Sequence, residues 1–158
     1  MFMGLNQITL AALSSVPGGG LMLARRHSHD IRIFVPPEGG IGILLDGDTA
    51  WSYVETRENR AWKGRVILNT RIEVDISSFH RDEVGAKLGS LVFKGDHVSM
   101  VVRLPSRFDR SSTTISLQGP EPLANQVEGW FTKWRLIVGE GQDQKVVAEV
   151  EATEIAPI

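Results

Sequence analysis

Two histidines one residue apart, His27 and His29, stand ahead of a run of strand-forming residues and are the chain's best candidates for metal ligands. Neutral imidazoles at that spacing, joined by a third nitrogen or oxygen ligand, hold zinc, iron or manganese with a position left open for substrate. His80, His97 and Glu55 are the available third ligands. The competing reading makes Arg25-Arg26-His27-Ser28-His29-Asp30 a polar surface approach to a strand, and it is the better one, because charged and polar residues surround the pair on both sides. His80 lies in Phe79-His80-Arg81-Asp82-Glu83, where acidic neighbours would favour its protonated form, or it is an exposed residue at a helix start. His97 alternates with Val98 and Met100, which places it on the opposite face from them, at a surface or in a barrel lumen.

The H-x-H pair invites comparison with the cupins, double-stranded β-helix metal proteins, and departs from their pattern at the ligands. Gly20 stands seven positions before His27, one too many, and Glu38 lies nine beyond His29. In Pro37-Glu38-Gly39, the segment closest to the second cupin motif, Gly42 occupies the place of the histidine. No Gly-x-Ser-x-Gly nucleophile elbow occurs, and a Ser-His-Asp triad cannot be assembled from spacing alone. The chain therefore reads as more consistent with binding than with catalysis, and no cofactor is expected.

Aromatic residues form the second group of candidates. Trp130 and Trp134 are four apart, so on one strand they share a face about 13 Å apart. Trp51 and Tyr53 share a face in the same way. Exposed, such faces stack on sugars or apolar ligands; covered, they form a core, and Leu136 and Val138 continue the Trp130 and Trp134 face as a core would. The third group is the segment from Arg103 to Arg110, in which Arg107, Arg110 and nearby serines suit an anion or an acidic partner surface, with Phe108 as a stacking anchor. Its alternative is a solvated loop in which Asp109 pairs with one arginine.

The elements that position these residues are strands. From Arg65 to Ile76 the chain alternates, with Val66, Leu68, Ile72, Val74 and Ile76 on one side and Arg65, Asn69, Arg71, Glu73 and Asp75 on the other, which predicts one long half-buried strand. Further strands are predicted over 31–35, 41–45, 51–55, 91–93, 97–104, 113–117, 130–138 and 145–153, separated by turn signals such as Asp46-Gly47 and Lys94-Gly95-Asp96. Short helices are expected over 78–89 and 122–128, while residues 5–16 suit either a short helix or an edge strand. The expected fold is mainly β, an antiparallel sandwich or barrel of about eight to ten strands with one or two short helices.

The 158 residues fit a single domain with one core. No charge occurs from Met1 to Ala24, and because no basic residue precedes that apolar stretch it is expected to pack on or extend from the domain rather than to act as a secretory signal. Gly18-Gly19-Gly20 lacks the Lys-Ser/Thr of a phosphate cradle and is expected to be a hinge. Cysteine is absent, which closes disulfide, thiolate-zinc and iron–sulfur chemistry and suits a reducing, cytoplasmic setting. Seventeen basic residues against nineteen acidic ones leave a net charge of −2, so nucleic acid and membrane are not expected partners. Three functions remain: a non-catalytic domain that binds a protein partner or its own copies, a barrel or sandwich that holds a small molecule or sugar against tryptophans, and an H-x-H metal enzyme.

Overall fold

A computed structural model of the chain describes residues 8–26, 29–58, 62–81, 86–104, 112–118 and 128–152. The fold is mainly β, built from antiparallel sheets, one of them curled into a half-barrel. The strands are β1 (Ile8–Ala12), β2 (Leu21–Arg26), β3 (His29–Phe34), β4 (Ile41–Leu44), β5 (Tyr53–Glu55), β6 (Lys63–Ile67), β7 (Arg71–Val74), β8 (Phe79–His80), β9 (Leu91–Lys94), β10 (His97–Arg103), β11 (Ser112–Gln118), β12 (Gly129–Phe131), β13 (Lys133–Val138) and β14 (Lys145–Glu151). They form a six-stranded sheet in the order β1-β6-β2-β3-β4-β5, a five-stranded sheet β11-β10-β9-β12-β8 and a three-stranded sheet β14-β13-β7.

The predicted strand from Arg65 to Ile76 is two strands. Asn69 takes a left-handed backbone conformation, φ 58°, which breaks the ladder. As a result β6 joins the six-stranded sheet and β7 the three-stranded one. The run from Trp130 to Val138 divides in the same way at the buried Thr132, with β12 pairing β8 and β9 while β13 pairs β7 and β14. The side chain of Ser78 pins this junction, donating to the Asp75 carbonyl and accepting the Lys133 N–H.

Residues 8–12 are a strand, β1, at one edge of the six-stranded sheet, followed by a 3-10 turn at Leu13–Ser15. The glycine triplet is a locked corner rather than a hinge. A side chain at Gly18 would place its first carbon 2.1 Å from the Pro37 carbonyl oxygen, and Gly19, at φ 84°, donates its N–H to Val35 and accepts both donors of Thr70. No α-helix forms over the described part of 78–89, where a 3-10 turn at Ile76–Ser78 runs into β8; the expected helix over 122–128 falls almost wholly outside the described residues.

Two clusters of apolar side chains use opposite faces of the six-stranded sheet. Leu21, Phe34, Ile43 and Ile67 face the main core, which also takes Leu91, Met100 and Trp130 from the five-stranded sheet and Trp134, Leu136 and Val150 from the three-stranded one. Their chain neighbours Met22, Ile33, Leu44 and Val66 turn to the second cluster, with Leu13 and Val16. The period-two alternation of each strand therefore divides its residues between two cores.

Candidate functional site

The three-stranded sheet buries one face and leaves the other open. On its central strand, Trp134, Leu136 and Val138 go to the core, while Lys133 and Arg135 point outward. Register then decides the neighbours. Arg135 lies between Glu73 and Glu149, and Lys133 lies opposite Glu151, with the Asp75 N–H bound to the Lys133 carbonyl. Together these residues line a groove of about 560 Å³ whose floor includes Val74, Trp134 and Val150.

The groove carries four carboxylates and two cations. The guanidinium of Arg135 is committed to Glu73, its Nε donating at 2.7 Å and its Nη2 to the same oxygen. Lys133 approaches Glu151 only to 3.9 Å. Asp75 accepts the backbone N–H and the hydroxyl of Ser77, and these two bonds hold its carboxyl below the usual carboxylate range. Glu149, across the strand from Arg135, is exposed and has no ion-pair partner among the described residues. Ile76, directly after Asp75, is 80% exposed. The arrangement offers an anionic, concave surface with an aliphatic residue beside it, suited to recognition by charge and shape.

The rings of Trp51, Trp130 and Trp134 belong to the core, although the strand position of Trp134 also lines the groove. Trp51, Trp130 and Trp134 are 4%, 5% and 3% exposed, so no ring face is open to a ligand. Trp134 donates its indole N–H to the Gly89 carbonyl at 2.8 Å and packs against Phe34 and Trp51 with ring centroids 6.4 and 6.3 Å apart. Trp130, carried on the five-stranded sheet, stacks on His80 at 4.3 Å, so the shared strand face expected for Trp130 and Trp134 does not exist. Tyr53 is half-buried against the same core. His97 is buried, which removes the surface alternative, because residues from both faces of β10 are covered. His27, Arg107 and Arg110 lie outside the described residues, and His29 opens β3 with its side chain also outside them. Among the described residues, no group of three histidines or carboxylates is arranged to hold a metal ion.

Residues 10–156 match the family described as "Uncharacterised protein y4lG". The chain belongs to that family. It is 24% identical over 145 residues to "Uncharacterized protein y4lG" of Sinorhizobium fredii (strain NBRC 101917 / NGR234), a similarity that covers 90% of this chain and 89% of that protein. The y4lG match includes β2 to β14 and therefore every residue lining the groove. No solved structure gives a significant match. Among the described residues, no helix is long and apolar enough to cross a membrane.

The groove residues escaped the reading of the sequence for a physical reason. Glu73 and Asp75 are legible there as the polar side of an alternating strand, and Lys133 and Arg135 alternate in the same way with Trp134 and Leu136. Their assembly depends on β13 pairing between β7 and β14, a long-range choice that no local pattern encodes.

Proposed function

We propose that this member of the y4lG family is a non-catalytic β-domain that binds a protein partner through the outer face of its three-stranded sheet. The observation that carries this reading is the open groove over β7, β13 and β14, anionic along its strands, with the exposed Ile76 following its lining residue Asp75 in the chain. An outward strand face that merely meets water needs no concavity, whereas a groove of this size excludes water around a docked side chain and strengthens each charge contact made in it. Ile76 supplies the aliphatic contact that such an interface needs at its anchor.

The test is a photo-crosslinking side chain at position 76, with the same group at the exposed Asp48 as the control. Position 76 is expected to give a discrete protein adduct that position 48 does not, and Glu149→Lys with Glu151→Lys is expected to remove it. Equal labelling at both positions, or an adduct indifferent to the charge reversal, rejects the reading.

A further inference from the structure

A second charged face lies on the six-stranded sheet. Leu23 of β2 stands directly opposite Arg65 of β6, and one step along the same pleat come Arg25 on β2 and Lys63 on β6. Arg25, Lys63 and Arg65 are exposed and have no ion-pair partner among the described residues. Arg32, on the other side of Leu23, is neutralised by Asp46 at 2.7 Å, and among the described residues of this patch Asp30, opposite Arg25, is the one further carboxylate. Leu21, on the same side as Leu23, is wholly buried in the main core, while Leu23 is 41% exposed, so this face leaves the core between the two and opens to solvent.

We infer that the occupant of the groove is a second copy of this chain, docking its Lys63, Arg65 and Arg25 face against the Glu73, Glu149 and Glu151 face. The inference rests on the docking reading above and names its partner. Three features of the molecule support it. The two faces carry opposite excess charge, three cations against one carboxylate on the first and four carboxylates against two cations on the second. Both are pleated surfaces on one lattice: Lys63 and Arg65 repeat along a strand at about 6.7 Å, and so do Glu149 and Glu151, so one pair meets the other in step. The described residues expose three large apolar side chains, Leu23, Ile76 and Phe79; Leu23 lies on the first face, opposite Arg65, and Ile76 follows Asp75 of the second in the chain. Mixed charge with one aliphatic contact per face makes the association reversible and salt-sensitive rather than obligate.

The experiment is sedimentation velocity on the whole chain and on two variants, Lys63→Glu with Arg65→Glu, and Glu149→Lys with Glu151→Lys. The wild-type chain is expected to self-associate at low ionic strength and to dissociate as the Debye length falls from about 10 Å at roughly 0.1 M salt to about 3 Å at roughly 1 M. Each variant alone brings like charges together and is expected to lose at least about tenfold in self-affinity. An equimolar mixture of the two variants restores opposite charges at every contact and is expected to restore association. A wild-type monomer at low salt, or a mixture that stays monomeric when both variants show wild-type melting, overturns the inference. If a variant melts early, the salt dependence of the wild type decides alone, since a salt-indifferent oligomer also overturns it. An adduct at position 76 to a different protein, with the chain itself monomeric, overturns the self-association and leaves the docking reading standing; no adduct of either kind removes both.

Discussion

Asp46 collects three donors from a single residue: the backbone N–H of Arg32 at 2.8 Å, its Nε at 2.9 Å and its Nη2 at 2.7 Å. The fork of the guanidinium matches the two carboxylate oxygens and leaves neither side chain free to rotate, so this pair retains more of its strength than an ordinary surface contact. Hydrogen bonding from Arg32 holds the Asp46 carboxyl below its ordinary range despite partial burial, and the same contact raises the guanidinium above its own. A carboxylate with a lowered folded-state pKa contributes stability above its unfolded value, about 3.9, and loses it as the pH falls through the folded one. Asp46→Asn is therefore expected to cost about 1 kcal/mol near neutral pH, and the difference from wild type is expected to shrink below about pH 4. Urea denaturation of both chains across that range checks it; a difference that grows with acid would assign the pair no such role. This contact was not legible in the sequence. Arg32 and Asp46 are fourteen residues apart, and only the antiparallel pairing of β3 with β4 places them together.

At the scale of elements, most strands were legible, β2 and β8 were not, and neither were the breaks within the long runs. The alternation from Arg65 to Ile76 reports correctly which residues are apolar, yet it is silent on the change of sheet at Asn69, because a single residue in the left-handed region leaves the pattern on either side intact. Asparagine tolerates that conformation where a β-branched residue is strained by about 1–2 kcal/mol. Asn69→Val is expected to lower stability by that amount and Asn69→Gly to be nearly neutral, measured by the urea midpoint at unchanged slope. If valine were tolerated as well as glycine, the turn at Asn69 would not be what separates β6 from β7. The same limit explains Trp130 and Trp134. Spacing placed them on one face of one strand, and the break at Thr132 sends one to the five-stranded sheet and the other to the three-stranded sheet, both rings ending in the core.

For the whole molecule, the alternating strands of the six-stranded sheet have a consequence for cooperativity. Leu21 and Met22 on β2, Ile33 and Phe34 on β3, Ile43 and Leu44 on β4, and Val66 and Ile67 on β6 each divide between the two apolar clusters. Opening the second cluster moves strands whose other face helps to build the main core, so neither cluster can be lost while the other keeps its packing. Trp51, Trp130 and Trp134 report on the main core and Trp62 packs against the second cluster, while the backbone signal reports on all three sheets. Unfolding in urea is accordingly expected to be a single transition in which tryptophan emission and far-ultraviolet circular dichroism change together, with one midpoint and one slope. Trp62→Phe is expected to leave that coincidence intact, since it changes a reporter of the second cluster and not the shared strands. Two separated transitions, with the tryptophan signal of the main core surviving the first, would mean that the two faces of the six-stranded sheet are energetically independent despite sharing four strands.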